Sequence, residues 1–355
     1  MAITLTSLTE LARHRFDDII DVRAPSEFAD DHLPGAINLA VLDDAERARV
    51  GTVYKQISPF DARRIGGALV AANAARHLQG PLAQKPGGWR PLVYCWRGGM
   101  RSGSFATILS SIGWRVETLA GGYKSWRRLV VQAVHDQPCP APVVLLDGNT
   151  GTAKTELLGL LALRGVQVID LEGLAHHRGS VFGARGVQPS QKLFEGRLAM
   201  ALAALDPVRP VVIEAESAKV GNLRLPTPLW RAMCAAPRLA LEVPVAERAA
   251  YLARAYADVT EDPERLSGTL DNLRPYHPAE HIARWQALAG VGSFETLAAE
   301  LIEQHYDPRY RKHRARASVP VVDVPAPSLA PSALHGVADR LVATLSLPSL
   351  TRGAA

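Results

Sequence analysis

The stretch VVLLDGNTGTAKT, residues 143–155, decides the fold of the second half of this chain. An apolar run leads into a loop with two glycines, and a lysine and a threonine follow it. This order is typical of a parallel strand, an anion-binding loop and a helix whose N-terminus faces the anion. Ala153 departs from the glycine usual before the lysine. We expect the loop to bind a diphosphate or a nucleotide through Gly148, Asn149, Thr150, Gly151, Thr152, Ala153, Lys154 and Thr155.

A second pattern of strand, loop and helix lies earlier, at PLVYCWRGGMRS, residues 91–102. Here the apolar run leads into Cys95, a glycine-rich turn and two arginines. A thiolate that is surrounded by backbone N–H groups at a helix N-terminus has a lowered pKa and is a good nucleophile. We expect Cys95, Arg97 and Arg101 to be catalytic.

Strand and helix signals alternate along the chain, which predicts an α/β fold: an N-terminal domain with a mostly parallel sheet and a C-terminal P-loop NTPase-like α/β domain. The proline-rich stretch QPCPAP, residues 137–142, favours an extended path and marks the boundary. We therefore predict one domain over residues 1–137 and a second, with a basic block at its end, over residues 138–318. Residues 319–355 are predicted to be a Pro/Ala-rich linker and a terminal helix.

Composition limits the class of protein. The chain has 355 residues, of which 47% are apolar, and a formal net charge of +5. Three cysteines are too few for a disulfide framework. The N-terminus lacks the charged and apolar regions of a signal peptide, and no apolar stretch is long enough to cross a bilayer. We expect a cytoplasmic protein without membrane contact; the sequence leaves its oligomeric state open.

Polar side chains cluster after two further apolar runs of the second domain. The first cluster holds Asp170, Glu172, His177, Arg178 and Ser180, and the second follows a predicted strand and holds Glu214 and Glu216. Side chains of a strand alternate with period two, so both glutamates would point to the same side. We expect these residues to form an acidic or substrate site, with Mg²⁺ as a candidate ion held by Thr155 and Glu214.

A short basic block, RYRKHRAR at residues 309–316, lies near the end of the second domain. Clustered cations can contact phosphates, and the tyrosine among them could stack on a base. The candidates for contact with a nucleic acid are Arg309, Arg311, Lys312 and Arg314, together with Arg316.

Two resemblances carry the functional expectation. The stretches DVRAPSEF at 21–28 and HLPGAIN at 32–38 resemble the rhodanese signature, and Cys95 stands where rhodaneses form a persulfide. This resemblance implies that the N-terminal parallel-sheet domain is rhodanese-like. Over about residues 5–312 the chain resembles the bacterial tRNA 2-selenouridine synthase family. The stretches that carry this second resemblance are YCWRGGMRS at 94–102, DLEGLAHHRGS at 170–180, EAES at 214–217 and YDPRY at 306–310.

The second resemblance implies an enzyme that replaces sulfur by selenium in the 2-thiouridine at the wobble position of tRNA. Selenophosphate would donate the selenium to Cys95, and geranyl diphosphate would alkylate the sulfur in an intermediate step. The expected partners are tRNA and the enzyme that produces selenophosphate. Both small molecules are co-substrates, and we expect no tightly bound cofactor.

The residues alone leave other functions open. Cysteine-dependent phosphatases also show Cys-x-x-Gly-x-x-Arg-Ser, although Tyr94 replaces the usual histidine and no aspartate stands out as a general acid. An ATP-dependent tRNA thiolation enzyme could use the same two loops, and so could a tRNA-binding module without activity.

Overall fold

The computed structural model describes residues 1–314 and 319–346. They form two compact units. The first consists of Met1–Pro138 and Pro189–Ala204, and the second of Cys139–Gln188 and the described residues from Leu205 onward. None of the described helices is both long enough and apolar enough to pass through a bilayer.

Each unit contains a five-stranded sheet. The strands of the first unit are β1 Ala2–Ile3, β2 Asp18–Asp21, β3 Ala36–Asn38, β4 Pro91–Tyr94 and β5 Glu117–Leu119. Those of the second unit are β6 Val143–Asp147, β7 Gln167–Ile169, β8 Val211–Glu214, the short pair β9 Lys219–Val220 and β10 Leu223–Arg224, β11 Arg238–Glu242 and β12 Val321–Pro325.

Helices cover both sheets. In chain order they are α1 Glu10–Arg13, α2 Pro25–Asp30, α3 Asp44–Gln56, α4 Pro59–Gln79, α5 Met100–Ser111, α6 Gly122–Val131, α7 Lys154–Leu163, α8 Leu171–Ala175, α9 Gln191–Ala203, α10 Thr227–Ala235, α11 Val245–Ala255, α12 Ala257–Thr260, α13 Pro263–Asp271, α14 Ala279–Gly290, α15 Phe294–Leu301, α16 Asp307–Arg314 and α17 Pro331–Leu345. Wider π-helical turns extend α6 over Gln132–Asp136 and α15 over Ile302–Tyr306.

The predicted α/β fold is confirmed. The first sheet has the order β1-β5-β4-β2-β3 and the second the order β12-β11-β6-β8-β7. All neighbouring strands of these two sheets are parallel. Because the carboxyl ends of parallel strands meet at one edge of a sheet, the loop after β4 and the loop after β6 each lie where α/β proteins bind ligands.

Helix α9 groups with the first unit, although the sequence boundary assigned its residues to the second domain. Arg127 of α6 forms an ion pair with Glu195, and Lys192 Nζ lies 2.5 Å from Asp30 Oδ2. Phe194 and Glu195 are buried. These contacts join segments that are far apart in sequence, and hydrophobic periodicity does not reveal such pairing.

The segment predicted as a linker contains β12, which extends the second sheet in parallel to β11 over five residues. Val324 is buried, and α17 then covers α7 with Leu334, Val337 and Leu341 in the core. Edge strands tolerate the prolines that suggested a linker, because one side of such a strand needs no hydrogen-bonded partner.

A buried ion pair connects β2 to the loop that follows it. Asp21 and Arg23 are both almost fully buried. Arg23 Nε lies 3.0 Å from each Asp21 carboxylate oxygen, and Arg23 Nη2 donates to the backbone oxygen of Asp31 at 2.5 Å. The guanidinium also lies 4.0 Å from the centre of the Tyr123 ring. Asp21 and Arg23 both fall in the stretch that resembles the rhodanese signature.

Breaking this pair should destabilise the protein strongly. Arg23→Met leaves Asp21 as an unpaired buried charge, which typically reduces the free energy of unfolding by about 3–5 kcal/mol. The exposed pair of Arg64 and Asp61 is the control, because Arg64→Met should cost less than about 1 kcal/mol. Urea unfolding of the full chain measures both changes, and equal losses would contradict the expectation.

Candidate functional site

Cys95 follows β4 directly and its side chain is buried. The backbone N–H of Gly99 donates to Cys95 Sγ at 3.3 Å, and the Ser102 hydroxyl donates to it at 3.2 Å. Burial acts to raise the pKa of the Cys95 thiol, but the hydrogen bonds from Ser102, Gly99 and Arg97 outweigh it, and the pKa is lowered. The loop therefore favours a thiolate, as a nucleophile requires.

The two arginines of the Cys95 loop differ in their surroundings. Arg101 is half-buried, and its Nη1 lies 2.9 Å from Glu27 Oε2. Burial acts to raise the pKa of Glu27, but the contacts with Arg101, the Ala24 N–H and Arg47 together outweigh it, and the pKa of Glu27 is lowered. Arg97 is exposed. A cavity beside the loop is lined by Arg101, Arg47 and Trp96 and also by the acids Glu27 and Asp30, so Arg101 reaches this cavity while it is paired with Glu27.

The phosphate-binding loop predicted from the sequence leads from β6 into α7. Gly151 has a φ of +86°, and Ala153 has a φ of +57°. A left-handed residue other than glycine costs about 1–2 kcal/mol. Ala153 thus takes the left-handed conformation that glycine adopts without strain.

Lys154 lies within this loop. Its Nζ donates to the backbone oxygen of Gly148 at 2.8 Å. Burial acts to lower the pKa of Lys154. Nearby groups, among them Tyr310, Glu172 and Glu216, raise the pKa by more than burial lowers it, so the lysine is held as a cation. An anionic ligand at this loop would therefore meet a fixed positive charge.

The three glutamates of the two polar clusters lie close to the phosphate-binding loop. Thr155 Oγ1 donates to Glu172 Oε2 at 2.9 Å, and the Glu172 N–H donates to Glu214 Oε1 at 2.7 Å. Glu216 lines the same cavity as Lys154 and Glu172. Asp170 instead caps α8, accepting the Gly173 N–H at 2.7 Å.

Glu214 and Glu216 have different environments, in contrast to the prediction from period two. Strand β8 ends at Glu214, so alternation does not extend to Glu216. Glu214 is almost fully buried, and burial raises its pKa well above the usual range. Burial and the negative charge of Glu172 raise the pKa of Glu216 to about 8, although Lys154 opposes the shift. Glu216, rather than Glu214, lines the cavity.

The remaining polar candidates contact neighbouring elements. His177 Nδ1 accepts the Gly179 N–H at 3.0 Å. Arg178 forms an ion pair with Asp258 at 2.9 Å and lies over the Tyr256 ring. Ser180 Oγ is 3.0 Å from the Tyr256 hydroxyl. Of these three residues, Arg178 and Ser180 line the cavity of the phosphate-binding loop, and His177 does not.

Sequence reasoning missed a buried arginine that supports the loop. Arg248 of α11 donates from Nε to the Thr150 oxygen at 2.9 Å, and its Nη2 lies 2.7 Å from Asp307 Oδ1. Asp307 also accepts from Asn149 Nδ2 at 2.9 Å. Asp307 and Tyr310 both belong to the YDPRY stretch, which from the sequence supported only a family resemblance. Asp307 holds the loop, and Tyr310 contacts Thr150 and lines the cavity.

The described part of the basic block, residues 309–314, lies in α16. Arg309 stacks over Tyr276, 4.7 Å from the ring centre, and its Nη1 lies 2.8 Å from His305 Nε2. The side chains of Arg311, Lys312 and Arg314, and the whole of Arg316, lie outside the described residues. Contact between this block and tRNA stays a prediction.

A magnesium site at the phosphate-binding loop would draw on few protein ligands. Within residues 1–314 and 319–346, no group of three or more histidines, cysteines or acids is arranged to hold a metal ion. Mg²⁺ at a phosphate-binding loop commonly takes one or two protein ligands and relies on phosphates and water for the rest. Thr155 and Glu172 fit that role better than Thr155 and Glu214.

Comparison with known proteins relates both units to described families. A rhodanese-like domain matches residues 4–129, and a tRNA 2-selenouridine synthase AAA domain matches residues 141–276. Curated tRNA 2-selenouridine synthases are similar over most of their length. The protein of Aeromonas salmonicida is 40% identical over 72% of this chain and 68% of its own. That of Chromohalobacter salexigens is 34% identical over 82% and 87%, and that of Bordetella petrii 33% identical over 86% and 88%.

Ser102→Ala should make Cys95 less reactive. It removes the hydroxyl that donates to Sγ, so the pKa of Cys95 rises and the thiolate fraction at neutral pH falls. A hydrogen bond to a charged group is typically worth enough to slow alkylation by on the order of tenfold. Iodoacetamide alkylation against pH, with Cys139 and Cys234 replaced by serine, measures this. Ser104→Ala, at an exposed position of the same helix, should react like the parent, and an equal rate for Ser102→Ala would contradict the expectation.

Glu216 should make the protein less stable as pH rises. Its pKa is 4.5 as a free side chain and about 8 in the folded protein, so between these values the folded state binds more protons than the unfolded state. The free energy of unfolding therefore falls as pH rises through this window. Glu216→Gln should flatten the fall, while Glu295→Gln, at an exposed position of the same unit, should not. Thermal unfolding of the full chains across this pH range tests both, and parallel curves for wild type and Glu216→Gln would refute the assignment.

Proposed function

We propose, from the premise that the chain belongs to the tRNA 2-selenouridine synthase family, that it is a tRNA-modifying enzyme that forms 2-selenouridine. The proposal rests on similarity over most of the chain and on two loops suited to different chemistry. The Cys95 loop offers a nucleophile whose pKa is lowered by hydrogen bonds to its sulfur. The loop at Gly148–Thr155 offers a fixed lysine charge for a phosphate group.

We further propose that the substrate is the 2-thiouridine at the wobble position of tRNA and that the exchange takes two steps. First, the sulfur attacks the carbon of geranyl diphosphate that bears oxygen, the C–O bond breaks, and diphosphate leaves. Second, the P–Se bond of selenophosphate breaks, the released selenium forms the C2–Se bond, the C2–S bond breaks, and the geranyl thiolate leaves. Water supplies the oxygen that converts the donor to phosphate, so no oxidant is needed. Alkylation makes sulfur a better leaving group, which is the chemical reason for the first step.

The observation that carries the choice of a prenyl diphosphate is an apolar pocket beside the phosphate-binding loop. This pocket and the cavity of Lys154 share Thr150, Ser180, Leu252 and Tyr256, so the two adjoin. Most of the side chains that line the apolar pocket are hydrocarbon, including Phe182, Val259, Leu266, Phe294, Leu297 and Leu301, and its polar atoms are the hydroxyls of Thr150, Ser180, Tyr256, Thr260 and Tyr306. Burial of a hydrocarbon chain there would be favourable, and we take this mainly apolar lining to suit a prenyl chain better than a polar nucleobase.

The roles of the other residues follow from this placement. Lys154 and the loop N–H groups would bind the diphosphate and stabilise the negative charge that develops as it leaves. Thr155 and Glu172 would hold Mg²⁺, which would neutralise part of that charge. Cys95 would act in the second step, where its loop and Arg101 would meet the anionic selenium donor. The enzyme that produces selenophosphate is the proposed supplier of that donor.

Two substitutions should separate the steps. In cells whose own copy of the gene is deleted, Cys95→Ala should abolish 2-selenouridine while S-geranyl-2-thiouridine is still formed. Lys154→Ala should reduce both nucleosides by on the order of a hundredfold, because it removes a desolvated charge that stabilises the leaving diphosphate. Mass spectrometry of tRNA nucleosides measures the two products. Cys139→Ala, Cys234→Ala and the exposed Lys55→Ala are the controls and should match the wild type.

The same variants decide between this proposal and its competitors. If Lys154→Ala forms the geranylated nucleoside normally but no longer binds ATP, the loop serves a nucleotide, as in an ATP-dependent thiolation enzyme. If the purified protein hydrolyses an aryl phosphate without tRNA and Cys95→Ala does not, the first unit acts as a phosphatase. Retention of 2-selenouridine in Cys95→Ala cells would refute the role of Cys95.

A further inference from the structure

We propose that a groove beside the Cys95 loop, formed entirely by the first unit, binds the single-stranded nucleotides next to the base to be modified. The inference rests on the proposed function, since it takes RNA to be the substrate. The groove has a volume of about 700 Å³. Trp96, Tyr123, Lys124, Arg127, Arg128 and Lys192 are among the residues that line it.

Two aromatic rings form a fixed platform at the Cys95 end of the groove. The ring centres of Trp96 and Tyr123 are 5.1 Å apart, with 32° between the ring planes. The Tyr123 hydroxyl donates to Asp31 Oδ2 at 2.8 Å, and Arg23 packs on the Tyr123 ring. These two contacts fix the position of the tyrosine. Trp96 is half-exposed, and it can offer a ring face to an incoming base.

The cations of the groove divide into two pairs. Arg127 is bound to Glu195, and Lys192 to Asp30. Lys124 and Arg128 are exposed, and neither has an ion-pair partner in the parts of the chain that the structure describes. They are four residues apart on α6 and so lie on the same face of that helix. Asp136, which is exposed, is the acid among the described lining residues.

This combination identifies the class of ligand. Single-stranded nucleic acid is bound by aromatic rings that stack on bases and by cations that contact the neighbouring phosphates. Trp96 also lines the cavity that contains Arg101, so a base stacked on it would lie beside the Cys95 loop. A groove with exposed cations at its walls and a half-exposed ring at the reactive end fits the loop of an RNA hairpin.

The salt dependence of RNA binding tests the cations. The probe is a short RNA hairpin with an anticodon loop that carries 2-thiouridine, and its affinity for the full chain is measured by fluorescence anisotropy against salt concentration. Lys124→Ala/Arg128→Ala should lower the log–log slope by about 1.4, at about 0.7 for each phosphate that is no longer neutralised. Lys55→Ala/Arg115→Ala, which removes the same two charge types from exposed positions outside the groove, should leave the slope unchanged. An unchanged slope and affinity in the groove variant would overturn the proposal.

The stacking contact has its own signal. With 2-aminopurine next to the 2-thiouridine, binding should quench the fluorescence of the base in the wild type and in Trp96→Phe. Trp96→Ala should bind on the order of ten- to a hundredfold more weakly and should not quench. Quenching in Trp96→Ala equal to that of the wild type would refute the stacking role. Because these measurements need no selenium chemistry, they can fail while the proposed function holds, and the nucleoside analysis can fail while RNA binding holds.

Discussion

The first unit depends on a backbone junction between the Cys95 loop and the start of α6. The N–H groups of Tyr123 and Lys124 donate to the carbonyl oxygens of Cys95 and Trp96, at 2.8 and 3.1 Å. The chain approaches so closely there that a Cβ on Gly122 would collide with the Cys95 carbonyl oxygen. Gly122 also has a φ of +57°, which glycine adopts without strain. The junction fixes the nucleophile, the aromatic platform and the basic face of α6 relative to one another.

In the second unit, a buried ion pair rather than backbone hydrogen bonds holds the anion-binding loop. Arg248 is buried against the phosphate-binding loop and joins it to Asp307. Loss of either partner would leave an uncompensated buried charge, so Arg248 and Asp307 keep each other, and the loop that contacts them, in place. The loop then brings Lys154 next to two carboxylates, and the raised pKa of Glu216 reflects its burial and the closeness of Glu172. An apolar pocket adjoins this polar cavity, and the two together suit a ligand with a charged head and a hydrocarbon tail.

In each unit, an anion-binding loop therefore lies next to a surface of different chemical composition. In the first unit that surface is aromatic and basic, and in the second it is apolar. Under the proposed function, the first would serve a nucleic acid and a selenium donor and the second a prenyl diphosphate. The chemistry explains why two loops are needed, since alkylation and replacement of sulfur use different leaving groups and different nucleophiles.

The sequence by itself predicted the α/β class, both anion-binding loops and Cys95 as the thiolate, because strand periodicity, glycines and a cysteine after a strand are local signals. It did not predict that α9 joins the first unit, that residues 321–345 complete the second, or that Arg248 supports the phosphate-binding loop. These features depend on contacts between residues far apart in the chain. The difference between Glu214 and Glu216 has the same origin. Strand β8 ends at Glu214, whose carboxylate accepts the Glu172 N–H, and Glu216 beyond the strand is the carboxylate near Lys154, so the period of the strand does not determine this difference.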